Sequence, residues 1–275
     1  MSNETFVNYW IGQEPTPPSP GLNEMPPEVD VAPLAFVTID DQYALDFDFL
    51  CTTNSASVIQ GWIKDVRANG TKVLFSINDT KLGTVPDVDA FVGGVAQQAV
   101  EWGVDGVDLD YEPSYLEPSQ TLLDVTKALR PALTDALGRD PLLTAPIWGL
   151  WDSQLEFLGQ FAAELDFVTT MDYTPWPGVD ETISNFDVYA GAIGSSEKIA
   201  IGLSCMGPPG SPPSEDGANF TPIDEVETIC KWEPDGGTKK GVMLYTYSYD
   251  VESRKGSGTG LPDGTFTKTI IANLP

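Results

Sequence analysis

Residues Asp105–Glu112 read DGVDLDYE. The stretch follows an amphipathic segment and lies in an apolar run, so it reads as a strand. Strand side chains alternate with period two. Asp108, Asp110 and Glu112 therefore share one face, and Val107, Leu109 and Tyr111 share the other. Three acids stacked on one face of a buried strand repel one another, and at least one must hold a proton at neutral pH. A protonated carboxyl two strand steps from an ionised one, about 6–7 Å away, is an acid beside an electrostatic stabiliser. The alternatives are a polar strand end and a Ca²⁺ or Mg²⁺ site. Cation loops carry Gly and Asn turns rather than an extended strand, so catalysis is the favoured reading and no metal is expected.

Working outward, short β-branched runs recur along the chain between Gly, Pro, Asp or Asn. They predict strands over Phe6–Ile11, Leu34–Ile39, Val73–Ile77, Gly106–Tyr111, Leu142–Ile147, Phe167–Tyr173, Ile199–Ser204 and Val242–Tyr247. Between most of them apolar residues recur at i, i+3 and i+4. This spacing predicts helices over Ser57–Ala68, Val88–Trp102, Gln120–Leu137, Gln154–Leu165 and Ile223–Trp232, with a weaker one over Ile183–Ile193. Strands alternating with helices imply a parallel sheet, and eight of them imply a closed (β/α)₈ TIM barrel in the α/β class. Glu14–Pro27 is too rich in proline for a helix, so the first helix should be short or missing. The stretch Met206–Gly241 is too short for an inserted α+β domain. With no linker and no repeat visible, residues 1–275 read as a single barrel domain. The loops after the strands, Gly207–Gly217 among them, should form the face where active sites of this fold lie.

Composition narrows the chemistry. The net charge of −27 opposes nucleic acid and anionic membranes as partners, favours a neutral substrate, and is compatible with a salt-adapted source. No apolar run is long enough to span a membrane. MSNETFVNYW lacks the features of a secretory signal, which leaves the compartment open between an intracellular protein and an exported one already processed. The chain has no histidine, which removes Ser-His-Asp and Cys-His catalysis and the commonest zinc sites. Cys51, Cys205 and Cys230 do not form a disulfide framework or a zinc spacing. Free buried thiols are expected, with one Cys205–Cys230 bond conceivable after export.

Residues Asp105–Glu112 match the D-G-x-D-x-D-x-E signature of glycoside hydrolase family 18, the family of chitinases and endo-β-N-acetylglucosaminidases. The chain resembles that family elsewhere too. KVLFSIND at Lys72–Asp79 is similar to its third strand, with Ser76 in place but Asn78 and Asp79 where glycines are usual. MDYT at Met171–Thr174 is similar to its sixth strand, with Thr174 where an acid is usual. GVMLYTYSYD at Gly241–Asp250 is similar to its eighth, with Tyr245 where chitinases usually have Trp. The resemblance implies a retaining, substrate-assisted hydrolysis without a cofactor. Glu112 would protonate the glycosidic oxygen, and the sugar's own acetamide carbonyl would attack the anomeric carbon to form an oxazolinium ion. Asp110 would orient the acetamide, Asp108 would share its proton, and Tyr173 would hydrogen-bond the acetamide oxygen. Tyr245, Met171, Tyr9, Trp148 and Trp176 are the expected sugar contacts, and Asp105, of opposite parity, is read as structural.

The implied partner is an N-acetylglucosamine oligosaccharide or glycan, bound by a monomer in a shallow, open cleft. Three activities compete. The first is cleavage of β-1,4 linkages in chitin oligosaccharides. The second is endo-β-N-acetylglucosaminidase action on the chitobiose core of N-glycans, toward which Tyr245 and Thr174 lean. The third is a non-catalytic lectin or inhibitor on the same barrel, against which the presence of Glu112 argues.

Overall fold

The computed structural model describes residues 4–12, 20–113, 118–148, 152–173, 176–205, 220–250 and 261–275. Eight parallel strands close into a barrel: β1 (Thr5–Asn8, resumed at Trp10–Ile11), β2 (Val31–Ile39), β3 (Lys72–Asn78), β4 (Gly106–Asp110), β5 (Leu142–Ile147), β6 (Phe167–Thr170), β7 (Ile199–Ser204) and β8 (Gly241–Tyr245). β1 closes the ring, pairing with β8 through Thr5 opposite Gly241 and with β2 through Trp10 opposite Leu34. Outside lie α1 (Ala56–Ala68), α2 (Val88–Trp102), α3 (Gln120–Leu137), α4 (Asp152–Ala163), α5 (Val179–Ile193), α6 (Ile223–Lys231), the short α7 (Tyr247–Asp250) and α8 (Thr265–Asn273). Between β1 and β2 the described residues hold only a 3₁₀ turn, Leu22–Glu24, in keeping with the proline-rich crossover. Among the described residues no helix is long and apolar enough to cross a membrane.

Strand alternation sorts the core into two clusters. On β1, Phe6 and Trp10 join the large cluster between barrel and helices, whereas Val7, Tyr9 and Ile11 join a small cluster inside the barrel. On β4, Val107, Leu109 and Tyr111 belong to the outer cluster. The acids of the same strand are thereby turned inward. Gly106 is required by close approach, since a Cβ there would collide with the Leu142 carbonyl of β5.

Asp105 has the structural role its parity implied. It is buried, and its carboxylate accepts from Arg67 Nε at 2.8 Å, Arg67 Nη2 at 2.9 Å, Arg139 Nη2 at 3.0 Å and the Val73 amide at 3.1 Å. It thus ties α1 and the α3–β5 turn to the start of β4. Removing a buried carboxylate that neutralises two guanidinium groups strands both donors. Asp105→Ala should lower unfolding stability by about 3 kcal/mol, discounted for the partly exposed arginines, and chemical denaturation reads this directly. An unchanged midpoint would make the cluster energetically idle.

The three cysteines are free thiols, with Cys205 and Cys230 buried, so the Cys205–Cys230 bond that export would permit is not formed. The strand expected to run to Tyr173 ends at Thr170, and the one expected to reach Tyr247 ends at Tyr245. Tyr247 instead opens α7, buried, with its hydroxyl donating to the Glu24 carbonyl at 2.6 Å.

Candidate active site

Parallel register builds the site in layers. Ser76 of β3 and Thr144 of β5 flank Asp108 at the same level, and Asn78 flanks Asp110 one layer higher. Side chains in register on adjacent strands face the same way, so each acid meets the inward residues of its neighbours.

Asp108 forms the lower layer and is fully buried. Its Oδ2 accepts from the Tyr9 hydroxyl at 2.7 Å and from Ser76 Oγ at 2.8 Å, and its Oδ1 accepts from Thr144 Oγ1 at 2.6 Å. Burial raises its pKa, and the three hydroxyl donors pull it back toward the ionised form. Tyr9, itself pushed up by burial and by Asp108, remains a donor.

Asp110 is held well above the ordinary carboxylate range. Burial is the main cause, followed by the charges of Glu112 and Asp108, while the Asn78 amide opposes the rise. Asp110 Oδ1 is buried and meets no hydrogen-bond donor among the described residues. Glu112 lies beyond the strand end and is exposed. Asn78 Nδ2 reaches both acids, at 2.8 Å to Asp110 Oδ2 and 2.9 Å to Glu112 Oε1.

Above the acids opens a cavity of about 380 Å³, lined by Asn78, Asp110 and Glu112 on one side and Tyr9, Tyr173 and Tyr245 on the other, with Phe36, Pro146, Trp148, Met171 and Met243 completing it. That volume lies within the range of small-molecule sites, about 300–1,000 Å³. Tyr245 is central to the aromatic side. It meets Tyr9 edge-on at 5.8 Å, stacks with Tyr173 at 6.3 Å and with Phe36 at 6.4 Å between ring centroids. Burial pushes the Tyr173 and Tyr245 phenols up, so both are neutral hydroxyls at the cavity.

The structure thus brings together Glu112, Asp110, Tyr173, Tyr245, Met171, Tyr9 and Trp148, with Asp108 beneath them. Trp176 is not among the lining residues. Its Nε1 donates to Glu225 Oε2 of α6 at 2.6 Å, and its ring packs on the core. Its place on the chain after β6 suggested a strand-end platform, but the indole serves to join that segment to α6. Thr174 falls outside the described residues. Phe36 and Asn78 are site residues that the sequence reading did not single out. Phe36 looks like any apolar strand residue. Asn78 carried a signal, since it stands where a glycine was expected on the strand beside the acids.

Asp108 accepts from three hydroxyl groups and Asp110 from the Asn78 amide, a hydrogen-bonding set rather than a cation cage. Among the described residues no group of three or more metal-ligating side chains occurs. Chelation with EDTA should leave turnover unchanged; strong inhibition restored by Ca²⁺ or Mg²⁺ would show that a cation takes part.

A closed barrel with acids at the carboxyl ends of its strands places the site where enzymes of this fold carry theirs. Residues 9–244 match the family described as the TIM-barrel domain of the endo-β-N-acetylglucosaminidase EndoS. The match spans most of the chain, and the chain belongs to this family. No curated protein sequence matches it. Among solved structures it is similar to the apo endo-β-N-acetylglucosaminidase of Cordyceps militaris, with 19% identity, a TM-score of 0.69, and coverage of 100% of this chain and 92% of that one. It is also similar to catalytic domain 2 of the Ostrinia furnacalis Group II chitinase, solved with a chito-oligosaccharide (16% identity, TM-score 0.70, 99% and 97% covered). A family 18 chitinase of Pseudoalteromonas aurantia follows (19% identity, TM-score 0.65, 90% and 95% covered). At these identities the likeness to solved structures shows the fold.

Proposed function

We propose that the protein is a retaining endo-β-N-acetylglucosaminidase that cleaves between the two N-acetylglucosamine units of the N-glycan core, using the substrate's own acetamide as nucleophile. The observation that carries the reading is the pairing of Asp110 and Glu112 at the wall of the cavity, both accepting from the Asn78 amide beside a set of neutral tyrosines. Family membership and Tyr245 in the cavity wall favour the N-glycan core over chitin, the reverse of the order in which the sequence reading set the two activities.

The chemistry follows from the groups present. Glu112, exposed at the cavity rim, gives a proton to the glycosidic oxygen as the bond to the anomeric carbon breaks. The acetamide carbonyl oxygen then bonds to that carbon, and the positive charge of the resulting oxazolinium ion lies close to its N–H. Asp110 Oδ1 accepts that N–H, and the carboxylate stabilises the charge as it forms. Tyr173 donates its hydroxyl to the acetamide oxygen, and Asp108, held by three hydroxyl groups, buttresses Asp110 from the layer beneath. Glu112 finally takes a proton from water as the water opens the ring. Tyr245, Tyr9, Phe36, Met171 and Trp148 offer apolar surface to the sugar faces.

A second reading, cleavage of chito-oligosaccharides, draws support from the fold shared with chitinases. Incubation with a high-mannose glycoprotein and, separately, with chitopentaose, read by mass spectrometry, separates the two. Release of the glycan with one N-acetylglucosamine left on the protein is expected. Shortened chito-oligomers alone would establish the second reading, and no product from either would leave a sugar-binding protein.

A further inference from the structure

We infer that Asn78 is a positioning residue whose amide nitrogen holds the carboxyl groups of Asp110 and Glu112 together as one working pair. The inference rests on the hydrolase reading above. An amide nitrogen has two hydrogens, and here each goes to a different acid, at 2.8 Å and 2.9 Å. Asn78 ends β3 directly opposite Asp110 in the register, so its own backbone is fixed by the sheet. The following residue strengthens that anchor: Asp79 Oδ2 accepts the Ile39 amide of β2 at 3.0 Å and its Oδ1 accepts the Lys81 amide at 2.8 Å. Glu112 has no such support, since it lies past the end of β4 and is exposed. The clamp therefore matters most for the acid that the strand does not hold.

Both hydrogens of the amide point at carboxyl oxygens, so Asn78 stabilises negative charge on both acids and opposes the rise in the Asp110 pKa. The other titratable groups facing the pair are Asp108 on the same strand, Tyr9 from β1, Tyr173 after β6 and Tyr245 from β8. All three phenols are pushed up by burial and stay neutral, so Asn78 is the amide donor in a ring of acids and hydroxyl groups. A carboxylate at position 78 would keep the shape and reverse the effect.

The test compares wild type with Asn78→Asp, Asn78→Ala and Asn78→Ser across pH, with thermal unfolding to confirm that each variant folds. For Asn78→Asp and Asn78→Ala, kcat should fall about 10- to 100-fold with KM within about threefold, as for a group that aligns the acid. The limb of the kcat/KM profile that reports Asp110 should move up, because its proton loss creates charge that the amide no longer stabilises. Asn78→Ser, which keeps one donor, should fall between. In parallel, ¹³C NMR of carboxyl-labelled protein, assigned with Asp110→Asn, should show Asp110 titrating higher in the variants. Lower turnover with that limb unmoved would reduce Asn78 to a structural role and overturn the inference, as would unchanged turnover. If wild type cleaves neither glycan, the hydrolase reading fails by itself; an unshifted carboxyl titration would then still overturn the role of Asn78.

Discussion

Glu112→Gln lowers kcat by about 10³-fold or more while oligosaccharide binding persists, if Glu112 is the proton donor. The amide keeps the length and most of the polarity of the acid. It still meets Asn78 and Asp110 at the cavity rim, so the shape offered to the sugar is almost unchanged. What it cannot do is give a proton to the leaving oxygen or take one from water. The chain has no histidine, and among the described residues the other groups able to move a proton at the cavity are Asp110, which is committed to the acetamide in this mechanism, and neutral phenols. Calorimetric titration with a chito-oligosaccharide or released glycan, beside a turnover assay, reads both halves of the result. Activity within tenfold of wild type would remove Glu112 from its role.

Asp110→Asn is expected to divide activity from stability. The charge of Asp110 counts most when the acetamide nitrogen becomes positive, so its loss should lower kcat about 10²- to 10³-fold and change KM little. The same substitution should stabilise the fold at neutral pH. In the native protein Asp110 is buried and its pKa is raised well above 3.8. Between its unfolded value and that raised value, the unfolded chain releases a proton that the folded chain keeps, so wild-type stability falls as pH rises through this window. Asparagine does not titrate. The variant should therefore melt higher than wild type at pH 7, and the gain should vanish below about pH 4, where the aspartate is protonated in both states. A catalytic group retained at a cost in stability is the pattern this pair would reveal. A variant less stable than wild type at pH 7, or equally active, would contradict the assignment.

The DGVDLDYE stretch carried most of what could be read without coordinates. Its alternation alone separated the inward acids from Val107, Leu109 and Tyr111, and it assigned Asp105 to the structural side. The strand pattern and the proline-rich first crossover were equally plain, because each depends on local composition. α8 was not legible. Its sequence, Thr265–Asn273, is rich in β-branched Thr and Ile, which are weak helix formers. The helix is held by distant groups: Asp250 accepts the amides of Phe266 at 2.9 Å and Thr267 at 2.7 Å, and Phe266 and Ile270 are buried in the outer core. The contact of Trp176 with Glu225 was hidden for a related reason, since its partner lies far along the chain on α6. Asn78 was visible as a departure from glycine, but its meaning needed the register that sets β3 beside β4.

The most direct test of the central claim is the configuration of the product at the first turnover. Proton NMR of freshly released glycan, recorded before mutarotation, distinguishes the anomers. A double displacement through the oxazolinium ion predicts the β-anomer first, with retention. An α-anomer at the outset would mean that water attacks the sugar directly, and would contradict both the substrate-assisted mechanism and the role given to Asp110.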